Sequence, residues 1–289
     1  FLNARARENQ WGFVDFNRPM VAINQWEQAE DSMYTLCGKD RIHPSTDGHL
    51  VMAYLFLKAQ GLAGKPVADI RIDGAGKKVT RSDNCRVSDL SVSSDNLTFT
   101  YEAKSLPYPI DTSYYDNEKH TQADALSVIP FMDEMNYEGL SVSGLSDGYY
   151  GLTIGGEFIG RFTARELERG INMTLLQNTP QYKQAMKIRQ MNEERWLKER
   201  KMREFYWVEY NLMRKTGMLW ACDEAAVDTL RKYRPHDIFL QWNGDLWLQY
   251  MHKGIREDCV NEQQDLVNQI YEQNKPIPLR IEIKKFTDL

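Results

Sequence analysis

The chain reads as an α/β protein in three segments, and three observations predict this. Helix and strand signals alternate over residues 1–62, short strand-like runs broken by Gly, Asn, Asp and Pro fill 66–162, and helical texture dominates 163–289. The first segment resembles the closing part of a three-layer α/β/α domain, the second a small β-rich domain, and the third a long helical region ending in a strand. A length of 289 residues with 42% hydrophobic and 27% charged residues allows a sizeable core in such an arrangement.

The opening FLNARARENQ suggests the last turns of a helix, followed by a strand from Trp11 to Phe16. Helices are expected from about Pro19 to Glu30 and from about Ser45 to Gln60, with Ser45 or Thr46 as N-cap after Pro44. This order suggests a parallel sheet. A strand–helix pair cut from such a sheet has an unpaired strand edge and an uncovered helix face. The start at Phe1, without initiator Met or signal peptide, agrees. Roughly 150–200 further residues are expected upstream, on the same polypeptide or on a docked fragment, from the usual size of a domain.

Ala63-Gly64-Lys65-Pro66 is the expected boundary. Beyond it, strands are expected at Cys85–Val92, Leu97–Ala103, Leu140–Ser143, Tyr149–Ile154 and Glu157–Phe162. The third segment predicts one long helix from Pro180 to Lys215, stopped by Gly217. Its charged stretch contains the i,i+4 pairs Glu194–Lys198 and Glu199–Arg203, as on a solvated helix face. Further helices are expected at Asp237–Lys253 and Asp258–Gln273, and Ile277–Phe286 alternates as a strand able to return to the β-rich domain.

A net charge of -5 and pI near 5.7 argue against a nucleic-acid partner, which needs a clustered basic surface. The longest apolar run, His49–Leu57, is about nine residues where a membrane span needs roughly twenty. Cys37, Cys85, Cys222 and Cys259 are too scattered to indicate a zinc site or a disulfide framework.

The densest polar cluster is Asp40-Arg41-Ile42-His43-Pro44-Ser45-Thr46-Asp47-Gly48-His49. An Asp three residues before a His on a tight loop can hold Nδ1, fix the tautomer and stabilise the imidazolium formed when Nε2 takes a proton. Spacing alone equally allows a capping Asp beside an incidental His, or, less readily, a metal site from Asp40, His43, Asp47 and His49. Gly144-Leu145-Ser146-Asp147-Gly148 fits G-x-S-x-G, but that pattern needs a following helix. The strand-like Tyr149–Ile154 makes Ser146 the tip of a hairpin instead.

Phe13-Val14-Asp15, Asp40-Arg41-Ile42-His43-Pro44, Gly48-His49 and the apolar helix Leu50–Leu57 together resemble the last sequence block of the SGNH (GDSL-type) hydrolases. The resemblance implies a flavodoxin-like catalytic layer in residues 1–62, with Asp40 as triad acid and His43 as general base of a serine esterase. It implies a small-molecule or carbohydrate ester as substrate, no metal or organic cofactor, and a secreted or periplasmic location. The family's G-D-S nucleophile block, glycine block and G-x-N-D block have no counterpart here. The serine is therefore expected in the missing upstream part, which is the partner this chain needs. Arg169-Gly170-Ile171-Asn172-Met173 and Asn178-Thr179-Pro180 look like the C-terminal extension of some bacterial members.

A second reading is a non-catalytic carbohydrate- or protein-binding module with a relic Asp–His loop. His120, His236 and His252 read as structural or exposed, and Trp196, Phe205, Tyr206, Trp207 and Tyr210 as helix packing, with a stacking platform as the alternative. Trp242 and Trp247 stand with them.

Overall fold

The computed structural model describes residues 1–113 and 120–286. The first segment holds three helices, α1 (Leu2–Glu8), α2 (Asn17–Glu27) and α3 (Thr46–Ala59). The strand expected at Trp11–Phe16 does not form; those residues are irregular, with Trp11 and Phe13 exposed. A strand exists only through hydrogen bonds to a neighbour, and no described strand lies beside this run. The parallel sheet expected of residues 1–62 is accordingly not present among the described residues. Only α3 buries a substantial face, through Leu50, Val51 and Tyr54, whereas α2 buries no residue. That face packs on Ile110, Ala125, Ile129 and Phe131, so α3 belongs to the same core as the loop and short turns beyond the β strands.

The second segment gives β1 (Ala68–Asp73), β2 (Lys78–Asp83), β3 (Cys85–Val92), β4 (Asn96–Ala103), the short helix α4 (Phe131–Glu134), β5 (Glu138–Ser143), β6 (Tyr149–Ile154) and β7 (Glu157–Thr163). Then follow α5 (Ala164–Arg169), β8 (Ile171–Asn172), α6 (Pro180–Val208), α7 (Glu224–Tyr233), α8 (Ile238–Tyr250), α9 (Lys253–Gln273) and β9 (Leu279–Lys285). One sheet has the order β2-β1-β5-β8 with β1 and β5 parallel; the other has the order β3-β4-β9-β6-β7 and is antiparallel throughout. Inward residues of both sheets, among them Ile70, Leu140, Phe99, Leu152 and Ile281, share one core. Strand alternation explains this: β4 buries Leu97, Phe99 and Tyr101 at every second position. Within that core Glu138 is fully buried, accepting from the Tyr101 hydroxyl at 2.7 Å and from Gln181 Nε2 at 3.3 Å.

The chain divides into two compact units, residues 1–185 with 276–289, and residues 186–275. This differs from a three-way division at 62 and 162. The reason is physical: α3 shares a core with residues 110–131, and β9 returns to pair between β4 and β6. The second unit comprises the rest of α6, one turn of π-helix at Glu209–Met213, and α7 to α9 around Phe205, Leu230, Leu240 and Trp247. The expected single helix to Lys215 thus ends earlier, in that widened turn. Among the described residues no helix is long and apolar enough to cross a membrane.

Candidate active site

The Asp–His loop hangs from a closed neck. Ser45 N–H donates to the Leu36 carbonyl at 3.0 Å, Gly38 N–H donates to the His43 carbonyl at 2.7 Å, and Cys37 and Pro44 form an antiparallel bridge. The strand-like arm before the loop is pinned to α2, because Asn24 Oδ1 accepts from Leu36 N–H at 2.9 Å. Gly48 is required at the first turn of α3: a Cβ there would collide with the Leu36 carbonyl oxygen. The neighbouring glycine and the fully buried Leu36 therefore bring α3 close enough to fix both ends of the loop.

Within the loop, Asp40 Oδ1 accepts from the N–H groups of Ile42 at 2.9 Å and His43 at 3.1 Å. Arg41 turns through the left-handed region at φ 57° to allow this. Asp40 Oδ2 is thereby aimed at His43 Nδ1, 2.5 Å away. The contact with His43 first, and the two backbone N–H groups after it, hold the Asp40 carboxyl down at about 2, so it is an anion at neutral pH. The His43 side chain is 84% exposed. Among the described residues none hydrogen-bonds its Nε2, which leaves that nitrogen free to take a proton from an incoming group.

Ser45 occupies the N-cap position of α3 but makes no side-chain cap; its hydroxyl donates to Asp47 Oδ1 instead. Asp47 is fully buried, also accepts from Gly48 N–H at 2.8 Å, and faces His120 Nδ1 at 3.7 Å. His49 turns its Nδ1 to the Ser45 carbonyl at 3.0 Å. Asp40, His43, Asp47 and His49 therefore point to different partners, and among the described residues no three His, Cys, Asp or Glu groups converge as metal ligands. The Asp47–His120 pair was invisible in the sequence, since its partners are distant and His120 borders residues 114–119, which lie outside the described residues.

Ser146 does not begin a helix. It sits exposed in the connection between β5 and β6, where its hydroxyl meets Lys285 Nζ at 2.7 Å and Tyr150 Oη at 3.2 Å. Because β5 and β6 lie in different sheets, this turn is a crossover between sheets and not the hairpin expected from the sequence. His236 and His252 are exposed in the second unit.

Comparison with known proteins places these features among relatives. Residues 186–275, the second unit, match the family model described as the diltiazem deacetylase C-terminal helical domain. The chain is also similar to a solved structure described as a gut microbial diltiazem-metabolizing enzyme, at 42% identity and a TM-score of 0.91. That similarity covers 99% of this chain and 64% of the other, so the chain spans about two thirds of the length of the enzyme it resembles. No curated protein matches it.

Proposed function

We propose that this chain is part of an SGNH-type serine ester hydrolase, in which Asp40 orients His43, His43 is the general base, and the nucleophilic serine lies outside these 289 residues. The carrying observation is the 2.5 Å Asp40–His43 contact on a loop that leaves Nε2 open. The serine hydroxyl attacks the acyl carbon, and His43 Nε2 takes its proton and passes it to the leaving alkoxide. A water deprotonated by the same nitrogen then releases the acid. Asp40, already an anion, stabilises the imidazolium in both steps.

Two further observations support the reading. The model matched by the second unit carries the name of a deacetylase, and deacetylation of an ester is this reaction with an acetyl group. The similar enzyme is longer than this chain, which leaves room for a serine and an oxyanion hole on its remaining third. Trp11, Phe13, Val21, Trp26 and Met33 are exposed on the first segment, the apolar surface on which the completing α/β/α layers would pack. Acetyl esters of small molecules or carbohydrates are the proposed substrates.

The test is hydrolysis of p-nitrophenyl acetate by the protein extended with its upstream sequence, beside His43→Ala and Asp40→Asn. Loss of turnover in both variants with unchanged circular dichroism is expected. Turnover by His43→Ala equal to the parent would refute the assignment.

A further inference from the structure

The second unit carries a feature that ester hydrolysis does not use. A cleft of about 620 Å³, within the ~300–1,000 Å³ of small-molecule sites, opens on its surface between α6 and α8. Trp196, Tyr206, Trp207 and Tyr210 line it from α6 and the π-helical turn, and Asn243 from α8. Trp196, Tyr206 and Tyr210 are each exposed by more than a third, an unusual display for rings that could have been turned inward.

These rings are held in place. Trp220 stacks on Phe205 at 6.4 Å and meets Tyr206 and Tyr210 edge-on at 6.0 Å and 5.9 Å. Its backbone lies in the left-handed region at φ 65°, a conformation costly for a bulky residue and found where other contacts over-determine it. Here the over-determining contact is Glu209, buried at the start of the π-helical turn. Its carboxylate accepts from Trp220 N–H at 2.9 Å and Trp247 Nε1 at 2.8 Å. A π-helical turn, a strained Trp and a buried acid thus converge on two rings of one cleft, and single π-turns recur at functional sites.

The electrostatics select among ligands. Arg200 and Arg203 line the cleft, yet Arg200 is paired with Glu204 at 2.7 Å and Arg203 with Glu199 at 2.9 Å. No uncompensated charge is offered to a phosphate or a carboxylate. An entirely apolar ligand would cover Asn243 and both ion pairs without satisfying them, at the cost of burying polar groups. What suits aromatic faces beside neutralised, hydrogen-bonding side chains is a neutral ring with an apolar face and a hydroxylated edge.

We infer that this cleft is a binding site for a neutral pyranose, with Trp196 and Tyr206 as stacking faces and Asn243 and Arg200 bonding ring hydroxyls. It stands independently of the ester-hydrolase reading, because no residue of the Asp40–His43 loop takes part. The test is isothermal titration of the whole chain with cellohexaose, xylohexaose and mannohexaose. At least one should bind with a Kd of about 10–500 μM, and Trp196→Ala or Tyr206→Ala should weaken it about tenfold or more with far-UV circular dichroism unchanged. Trp196→Phe should keep binding within about threefold, since it restores an aromatic face. Absence of heat with all three sugars at about 10 mM would overturn the inference, as would affinity within about twofold of the parent in both alanine variants. Binding of indole with no binding of the sugars would mark an aromatic-ring site and overturn it equally.

Discussion

Two Asp–His pairs lie at the two ends of one short segment, and they are opposites. Asp40 and His43 are neighbours on an exposed loop, in contact at 2.5 Å, with the ring open to solvent. Asp47 is fully buried at the first turn of α3, tied to Ser45 and Gly48, and meets His120 at 3.7 Å across the fold. The difference teaches that an Asp beside a His is not in itself a catalytic device. A general base needs a nitrogen that a substrate-side proton can reach, and only His43 has one; the carboxylate of Asp47 is spent on the backbone and hydroxyl groups that start α3.

The largest expected effect separates the pairs by activity. In the extended protein, His43→Ala should lower kcat/KM for an acetyl ester on the order of 10⁴-fold, whereas His120→Ala should stay within about threefold. Equal losses would erase the distinction. Asp40→Asn should fall between them, because it keeps the loop but inverts the tautomer preference of His43.

Stability should run the other way. Asp47→Ala leaves the Ser45 hydroxyl and Gly48 N–H without their buried acceptor, at a cost of about 1–3 kcal/mol, read as a lower urea midpoint with unchanged m-value. Asp40→Ala, on an exposed loop, should leave that midpoint where it is.

A third carboxylate sharpens the contrast between exposed and buried acids. Burial pushes Glu138 up from 4.5 to about 7, against the opposing hydrogen bonds of Tyr101 and Gln181. The folded protein therefore holds a proton that the unfolded chain has released, so stability should fall as pH rises from about 4.5 to about 7 and level off above. Glu138→Gln should remove that fall. Chemical denaturation at a series of pH values checks it.

The smallest effect concerns Asp40 itself, held at about 2 from an ordinary 3.8. Its lowered value favours the folded loop above about pH 4, a contribution lost as pH falls through about 2. By carboxyl NMR titration the midpoint should move up toward the ordinary range in His43→Ala, because the contact with His43 is its largest cause. An unmoved midpoint would mean that the backbone N–H groups alone hold the carboxylate.

What the sequence made legible was local. Asp40 and His43 meet because they are three residues apart on a loop whose turn the Asp itself closes, so the motif and its geometry are one fact. Strands such as Cys85–Val92 and Tyr149–Ile154 were legible for the same reason: alternation lies in the chain itself. Lys78–Asp83 escaped because it carries no buried face to alternate. Glu224–Tyr233 did offer a signal, the N-cap Asp223 that accepts from Ala226 N–H, and was passed over. Trp11–Phe16 misled in the opposite sense, since a strand-like pattern makes no strand without a neighbour. Pairings across the fold were beyond reach: Asp47 with His120, β9 between β4 and β6, and the Glu209–Trp220 contact each depend on chain closure that no local pattern encodes.

The central claim is that His43 serves a serine that these residues do not supply. Labelling the extended protein with a fluorophosphonate, which reacts with a base-activated serine hydroxyl, followed by peptide mapping, tests it directly. The account predicts one labelled serine outside residues 1–289, with labelling abolished in His43→Ala. A label on Ser146, or on any serine within this chain, would contradict it.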